Sequence, residues 1–264
     1  MQLPNKVSVL GVGISTTSYS DAVRVCGELI ADAPCESASS THEGRYVCVT
    51  SAHGLVLARS DDRFRGILNG AVLVTPDGMP VVWALRSFGV SGQNRVYGPD
   101  LMLELLKQAE AVGHRVFLYG GRPDTLHALA SRLEGRYPEL KIVGSYSPPF
   151  RPMTADEDAA LIAMIRRLQP HLIFVGLSTP KQEYWMASHA RAFPGAVLIG
   201  VGAAFDFHAG RVSQAPRWMQ QLGLEWAFRL ASEPRRLWRR YILITPRFLP
   251  LWGLQKLGLL SPRP

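Results

Sequence analysis

Seven apolar runs of only three to five residues recur along the chain, separated by longer segments of helical period, and this alternation limits the fold more than any other feature. The runs lie at 7–10, 46–50, 71–75, 115–119, 141–143, 172–175 and 197–201 and are rich in Val, Leu and Ile. Near-continuous apolar runs of that kind are strands buried on both faces, which occur in parallel sheets. Helices are predicted between them, near 20–31, 52–68, 79–87, 100–112, 124–135, 155–168 and 181–192. The expected fold is therefore α/β: a mostly parallel, Rossmann-like sheet covered by helices.

Local signals support several helix starts. Thr154-x-x-Glu157 and Thr179-x-x-Gln182 both fit the capping box, in which two side chains satisfy orphan backbone amides. Pro123 stands where a first helical turn tolerates it. Residues 31–44, rich in Ala, Ser, Glu and Thr, are expected to form a polar loop. Cys26, Cys35 and Cys48 lack C-x-x-C spacing, so neither a disulfide framework nor a zinc site is expected. No run approaches the roughly 18–20 apolar residues that cross a bilayer, and the apolar run at 7–10 is too short for a secretory leader. A cytoplasmic location is the expectation.

Charge divides the chain in two. From Arg229 onward seven arginines and one lysine face Glu233 alone, so this stretch holds seven of the net eight positive charges. The expected organisation is a near-neutral α/β body over 1–222 and a basic, helical C-terminal appendage over 223–264. On a helical wheel Arg235, Arg236, Arg239 and Arg240 share one side, and Leu237, Trp238, Tyr241, Ile242 and Ile244 the other. Such a helix suits the surface of an anionic membrane, and it equally suits a terminal helix packed on the body with its arginines in solvent.

Four strand-to-helix turns could carry chemistry, because ligands of parallel sheets bind beyond the carboxyl ends of strands. Asp77, in Pro76-Asp77-Gly78, is a general-base candidate, although Pro-Asp-Gly is also a turn signature. Gly120-Gly121 leads into a helix N-terminus, which favours a diphosphate, or makes only a tight turn. Gln182 and Glu183 open a third helix. Gly202, Asp206 and His208 follow the last strand, with His208 read as a hydrogen-bonded structural residue. The D-x-D string Asp156-Glu157-Asp158 sits inside a capped helix, where acids suit the dipole, so no metal site is expected.

Pro76-Asp77-Gly78, Arg95-Val96-Tyr97-Gly98-Pro99-Asp100-Leu101, Gly120-Gly121, Pro180-Lys181-Gln182-Glu183, Phe205-Asp206-x-x-Ala209-Gly210, Ala215-Pro216-x-Trp218, Leu224-Glu225-Trp226 and Arg229-Leu230-x-x-Glu233-Pro234-x-Arg236-x-x-Arg239 follow one another in that order. Together they resemble the WecG/TagA/CpsF glycosyltransferases over about 7–240. The resemblance implies inverting, metal-independent and cofactor-free transfer from a UDP-sugar to a sugar on a polyprenyl diphosphate, by an enzyme peripheral on the inner face of the cytoplasmic membrane. It implies Asp77 as base, Arg95 and Gln182 in the donor and catalytic pocket, and Arg229, Arg236 and Arg239 as arginines of a membrane-directed appendage. The appendage is expected to close over the cleft only on meeting membrane. Thr50, His53, Gly120, Gly121, Glu183, Gly202 and Asp206 complete the expected substrate-binding set.

One departure bears on the sugar. Where the family often has Asn two residues after Thr50, this chain reads Thr50-Ser51-Ala52-His53-Gly54. With that contact missing and His53 filling part of its space, the exopolysaccharide glucosyltransferase branch, and hence UDP-glucose, is favoured over UDP-N-acetylmannosamine or its uronic acid. A nicotinamide-dependent oxidoreductase is the rival enzyme, but no G-x-G-x-x-G turn with a following acid is present. A nucleic-acid-binding protein is the rival for the basic charge, although here the basic residues crowd one terminus with long apolar ones rather than lining a groove.

Overall fold

The computed structural model describes residues 1–32 and 45–260. Most of the expected polar loop at 31–44, with Cys35, lies outside these residues. Eight strands and thirteen α-helices follow one another: β1 (Lys6–Val9), β2 (Val12–Ser15), α1 (Tyr19–Ala31), β3 (Tyr46–Thr50), α2 (Ala52–Ser60), α3 (Asp62–Gly70), β4 (Leu73–Pro76), α4 (Met79–Ser87), α5 (Gly98–Val112), β5 (Arg115–Gly120), α6 (Pro123–Arg136), β6 (Lys141–Tyr146), α7 (Ala155–Leu168), β7 (Leu172–Gly176), α8 (Lys181–His189), β8 (Val197–Gly200), α9 (Ala204–His208), α10 (Arg217–Gln221), α11 (Glu225–Ser232), α12 (Pro234–Trp238) and α13 (Phe248–Lys256).

Six strands form the expected parallel sheet, in the order β4-β3-β8-β7-β5-β6. Alternation along each strand builds two cores, because successive side chains point to opposite faces. Tyr46, Cys48, Phe117, Tyr119, Ile173, Val175 and Leu198 face one core, covered by α2, α3, α4, α7, α8 and α13. Val47, Val49, Val116, Leu118, Leu172, Phe174, Val197 and Ile199 face the other, covered by α1, α5, α6 and α9. The chain therefore leaves β3 for one face and the neighbouring β8 for the other. The place between their carboxyl ends, where the crossover direction reverses, is the crevice that binds ligands in sheets of this kind.

The structure corrects three expectations. The run at 7–10 does not join the parallel sheet: β1 pairs antiparallel with β2, which the sequence reading missed. Leu10 and Gly11, with φ of 52° and 87°, make the two-residue turn, and positive φ at both positions is what a tight hairpin requires. The hairpin braces β4, whose Val74 amide donates to Ser15 Oγ at 3.1 Å. The single helix expected over 52–68 is broken at Asp61, which ends α2 and caps α3 by accepting from the Phe64 amide at 2.9 Å. Aspartate favours such a cap over a helix interior.

The third correction concerns α8. Its capping residue is Pro180, so Gln182 occupies the second helical position and no Thr179–Gln182 box forms. The box at Thr154 and Glu157 does form. Gly176 is required by packing, since a Cβ there would overlap the Phe205 ring. Gly176→Ala should lower stability by about 1–3 kcal/mol through overpacking, measured as a shift in the urea midpoint.

Candidate active site

Asp77 leaves β4 at the carboxyl edge, its amide donating to the Thr50 carbonyl at 2.9 Å. Arg95, in the loop before α5, donates from Nε and Nη2 to the single oxygen Asp77 Oδ1, at 3.1 and 2.9 Å. The same Nη2 donates to Glu225 Oε2 at 2.7 Å, and Tyr97 Oη donates to Glu225 Oε1 at 3.1 Å. The Tyr97 ring lies under the guanidinium, 3.9 Å from its carbon, in cation–π contact. Burial opposes the Arg95 charge, but Asp77 and Glu225 outweigh it and shift the group upward. Burial, then Glu225 and Asp77, push the Tyr97 phenol up, so it stays a proton donor.

Beside this cluster, Thr50, His53, Gln182 and Glu183 are each less than a tenth exposed. Thr50 Oγ1, Thr75 Oγ1, His53 Nδ1, Gln182 Oε1 and Glu183 Oε2 have no hydrogen-bond partner. An orphaned buried polar atom costs roughly 1–3 kcal/mol, so those of Thr50, His53, Gln182 and Glu183, gathered around one crevice, are an arrangement that a polar ligand would relieve. Glycine at 200 leaves room for Gln182, since a Cβ there would lie 3.0 Å from Gln182 Nε2, and Gly202 takes a φ of 54° that favours glycine. Burial pushes the Glu183 carboxyl up, opposed by hydrogen bonds from its own backbone, Thr179 and Gln182 and by the Arg240 charge.

The appendage reaches both parts of the site. Arg240 turns inward and donates from Nη2 to Ser51 Oγ at 3.3 Å, leaving Nε buried and unpartnered. Arg229 lies over the Phe207 ring at 5.4 Å, and its Nε is buried and unpartnered too. Arg236 instead pairs with Glu233 at 3.0 Å and Arg239 lies over Trp238, both exposed. The helical wheel thus misplaced Arg240, Trp238 and Ile242. Residues Arg239–Ile244 form a π-helical stretch, whose wider turn shifts the phase on which a 3.6-residue wheel depends. The appendage packs against the body and carries Arg229 and Arg240 toward the crevice. Phe248 is buried, Trp252 Nε1 donates to Ser87 Oγ, and Gln255 bonds the backbone of both Ser8 and Leu10.

Other expected residues lie further off. Gly120 and Gly121 occupy the same sheet edge as Asp77, but β5 is four strand spacings from β4, about 19 Å. A Cβ on Gly120 would lie 2.8 Å from the Gly176 backbone, so this glycine serves close packing. Asp206 is half-buried in α9, its carbonyl accepting from the Arg211 and Val212 amides. His208 Nε2 is bonded to the Pro99 carbonyl at 2.9 Å, the structural role expected of it. Tyr97, Glu225 and Arg240 were missed as site residues. The first two stand inside strings already singled out, and their signal was proximity to Arg95 and to the arginine-rich segment. Among the described residues no cluster of His, Cys, Asp or Glu could hold a metal ion, and no helix is long and apolar enough to cross a membrane.

A parallel sheet whose carboxyl edge joins an acid–arginine cluster, a polar crevice and converging arginines is the architecture of an α/β glycosyltransferase. The family model described as "Glycosyl transferase WecG/TagA/CpsF family" matches residues 7–261, and the chain belongs to that family. It is 37% identical over 188 residues, 71% of each chain, to an N-acetylglucosaminyldiphosphoundecaprenol N-acetyl-beta-D-mannosaminyltransferase of Bacillus subtilis (strain 168). A protein of the same name from Bacillus spizizenii (strain ATCC 23059 / NRRL B-14472 / W23) is 32% identical over 208 residues, 79% of this chain and 78% of that one.

The neutral, buried His53 gives the site a pH signature. Burial first, then Arg240, pulls its pKa from 6.5 to about 3. The unfolded chain therefore takes up a proton below pH 6.5 that the folded chain refuses, and stability falls as pH drops from 6.5 toward 3. The loss reaches at most about 2 kcal/mol at pH 5. Denaturation at pH 7 and pH 5 should show a smaller acid loss in His53→Gln than in the natural chain.

Proposed function

We propose that the enzyme transfers an N-acetylhexosamine from its UDP derivative to N-acetylglucosaminyl-diphosphoundecaprenol, with inversion and without a metal, in the synthesis of a cell-surface polymer. The observation that carries this reading is the Asp77 carboxylate, held by Arg95 on one oxygen only, beside a crevice of unpartnered polar groups. Both relatives carry N-acetylmannosaminyltransferase names with that acceptor, which supports N-acetylmannosamine as the donor sugar. The expectation of UDP-glucose finds no support in them.

In the proposed reaction the acceptor hydroxyl oxygen attacks the anomeric carbon of the donor. The bond from that carbon to the diphosphate breaks, UDP leaves with the electron pair, and the proton passes to Asp77. A base in this role must come within hydrogen-bond reach of the hydroxyl, and Asp77 Oδ2 is the oxygen Arg95 leaves open. Thr50, Gln182 and His53 line the crevice proposed for the donor. Arg229 and Arg240, each with an unpartnered Nε, neutralise the departing diphosphate, in the manner of fixed charges aimed at a developing anion. A cavity of about 280 Å³ beside Arg95, bounded by Tyr19, Asn94, Tyr97, Arg217 and Gln220, gives room for a second sugar.

The exposed faces of the appendage support docking to an anionic membrane surface. Trp226, Trp238, Ile242, Leu243 and Leu249 are exposed there beside Arg235, Arg236 and Arg239. Aromatic and aliphatic side chains mixed with arginines are the composition of interfacial helices. We propose a peripheral enzyme on the inner face of the cytoplasmic membrane, with 1–222 as body and 223–264 as appendage.

Asp77→Asn should bind UDP as the natural chain does while turnover falls by roughly 10²–10⁴, the loss expected of a removed general base. Calorimetry with UDP and product analysis with several UDP-sugars check this, and unchanged turnover would remove Asp77 from the mechanism. Transfer should persist in chelator; activity restored only by manganese would contradict the metal-free reading.

A further inference from the structure

Glu225 belongs to the appendage, yet its carboxylate lies among the groups that surround Asp77. Arg95 and Glu225 side chains are each 14% exposed. The Arg95 guanidinium serves two carboxylates at once, through Nη2 shared between Asp77 Oδ1 and Glu225 Oε2. That sharing decides how Arg95 meets Asp77. A guanidinium facing one carboxylate frequently takes a fork-to-fork arrangement that occupies both oxygens. Here both contacts fall on Oδ1, because Nη2 is also drawn toward Glu225, and Glu225 is itself fixed by the Tyr97 hydroxyl on its other oxygen.

From this geometry we infer that Glu225 is a positioning residue, which holds Arg95 off one oxygen of Asp77 and so makes that oxygen available to a proton only while the appendage is docked. The inference rests on Asp77 being the base. Its physical content is competition: two carboxylates share one cation, and removing the second lets the cation close on the first. A closed pair makes a poor base, since its lone pairs and its charge are already satisfied. Because Glu225 is the first residue of α11, undocking of the appendage and loss of the open oxygen are one event.

The test is steady-state kinetics on the full chain with Glu225→Gln and Glu225→Asp. Glu225→Gln keeps the size of the side chain and loses its charge. Its kcat should fall roughly 10²-fold, as expected when a reacting group is misplaced by about 1 Å. KM for UDP-sugar and for lipid-linked acceptor should stay near the natural values, as should association with phosphatidylglycerol vesicles. Glu225→Asp should recover part of kcat. Natural or raised kcat in Glu225→Gln would overturn the inference, a rise marking Glu225 as a brake. A loss carried by KM or by vesicle association would overturn it too, by showing a purely structural contact. Should Glu225→Gln melt below the assay temperature, Tyr97→Phe decides: it removes only the 3.1 Å anchor on Glu225 Oε1, and unchanged kcat there would overturn the inference. Asp77→Asn, assayed beside them, separates the two readings, since full activity in that variant sinks the base assignment itself.

Discussion

Arg95 is bonded to both Asp77 and Glu225, and the arrangement of the carboxyl edge follows from how it divides itself between them. Its burial is tolerable because two carboxylates face it and an aromatic ring lies beneath it. A buried charge left without such partners costs several kcal/mol. The pairing joins segments far apart in sequence: the exit of β4, the loop before α5 and the start of α11. Without it the appendage would still be held by Phe248, Trp252 and Gln255, but nothing would tie its first helix to the acid.

The crevice beside that cluster follows from topology. Helices leave β3 and β8 on opposite faces, and the glycines at 200 and 202 carry no side chain into the gap. Thr50, His53, Gln182 and Glu183 enter from α2, α8 and the strand ends with polar atoms left unpartnered. Folded proteins seldom leave several such atoms in one place. Here they lie between a carboxylate and two inward-turned arginines, a distribution that suits a ligand with hydroxyls at one end and a diphosphate at the other.

Much of this was legible in the sequence, for identifiable reasons. Strands buried on both faces leave apolar runs that need no tertiary knowledge, so the six strands of the main sheet were placed within a few residues. The hairpin strand at 12–15 was not, because Val-Gly-Ile-Ser is short and its pairing is with a neighbour rather than with the sheet. Asp77, Arg95 and Gln182 stood in strings with strong local character, and the structure brings them to one edge. Glu225 was invisible as a site residue because its meaning lies in a contact across 130 positions. Arg240 was misjudged for a different reason: a change in helical pitch reverses the inside and outside of a helix without leaving a mark on composition.

The claim that Glu225 and Asp77 act through one shared cation is tested most directly by a double-mutant cycle on kcat, using Asp77→Asn, Glu225→Gln and the combined variant. Residues that act through each other give losses that do not add. Once position 77 carries no charge, removing the charge at 225 should cost little more, and the combined variant should turn over close to Asp77→Asn alone. Fully additive losses would show that the two carboxylates act independently and would contradict the account.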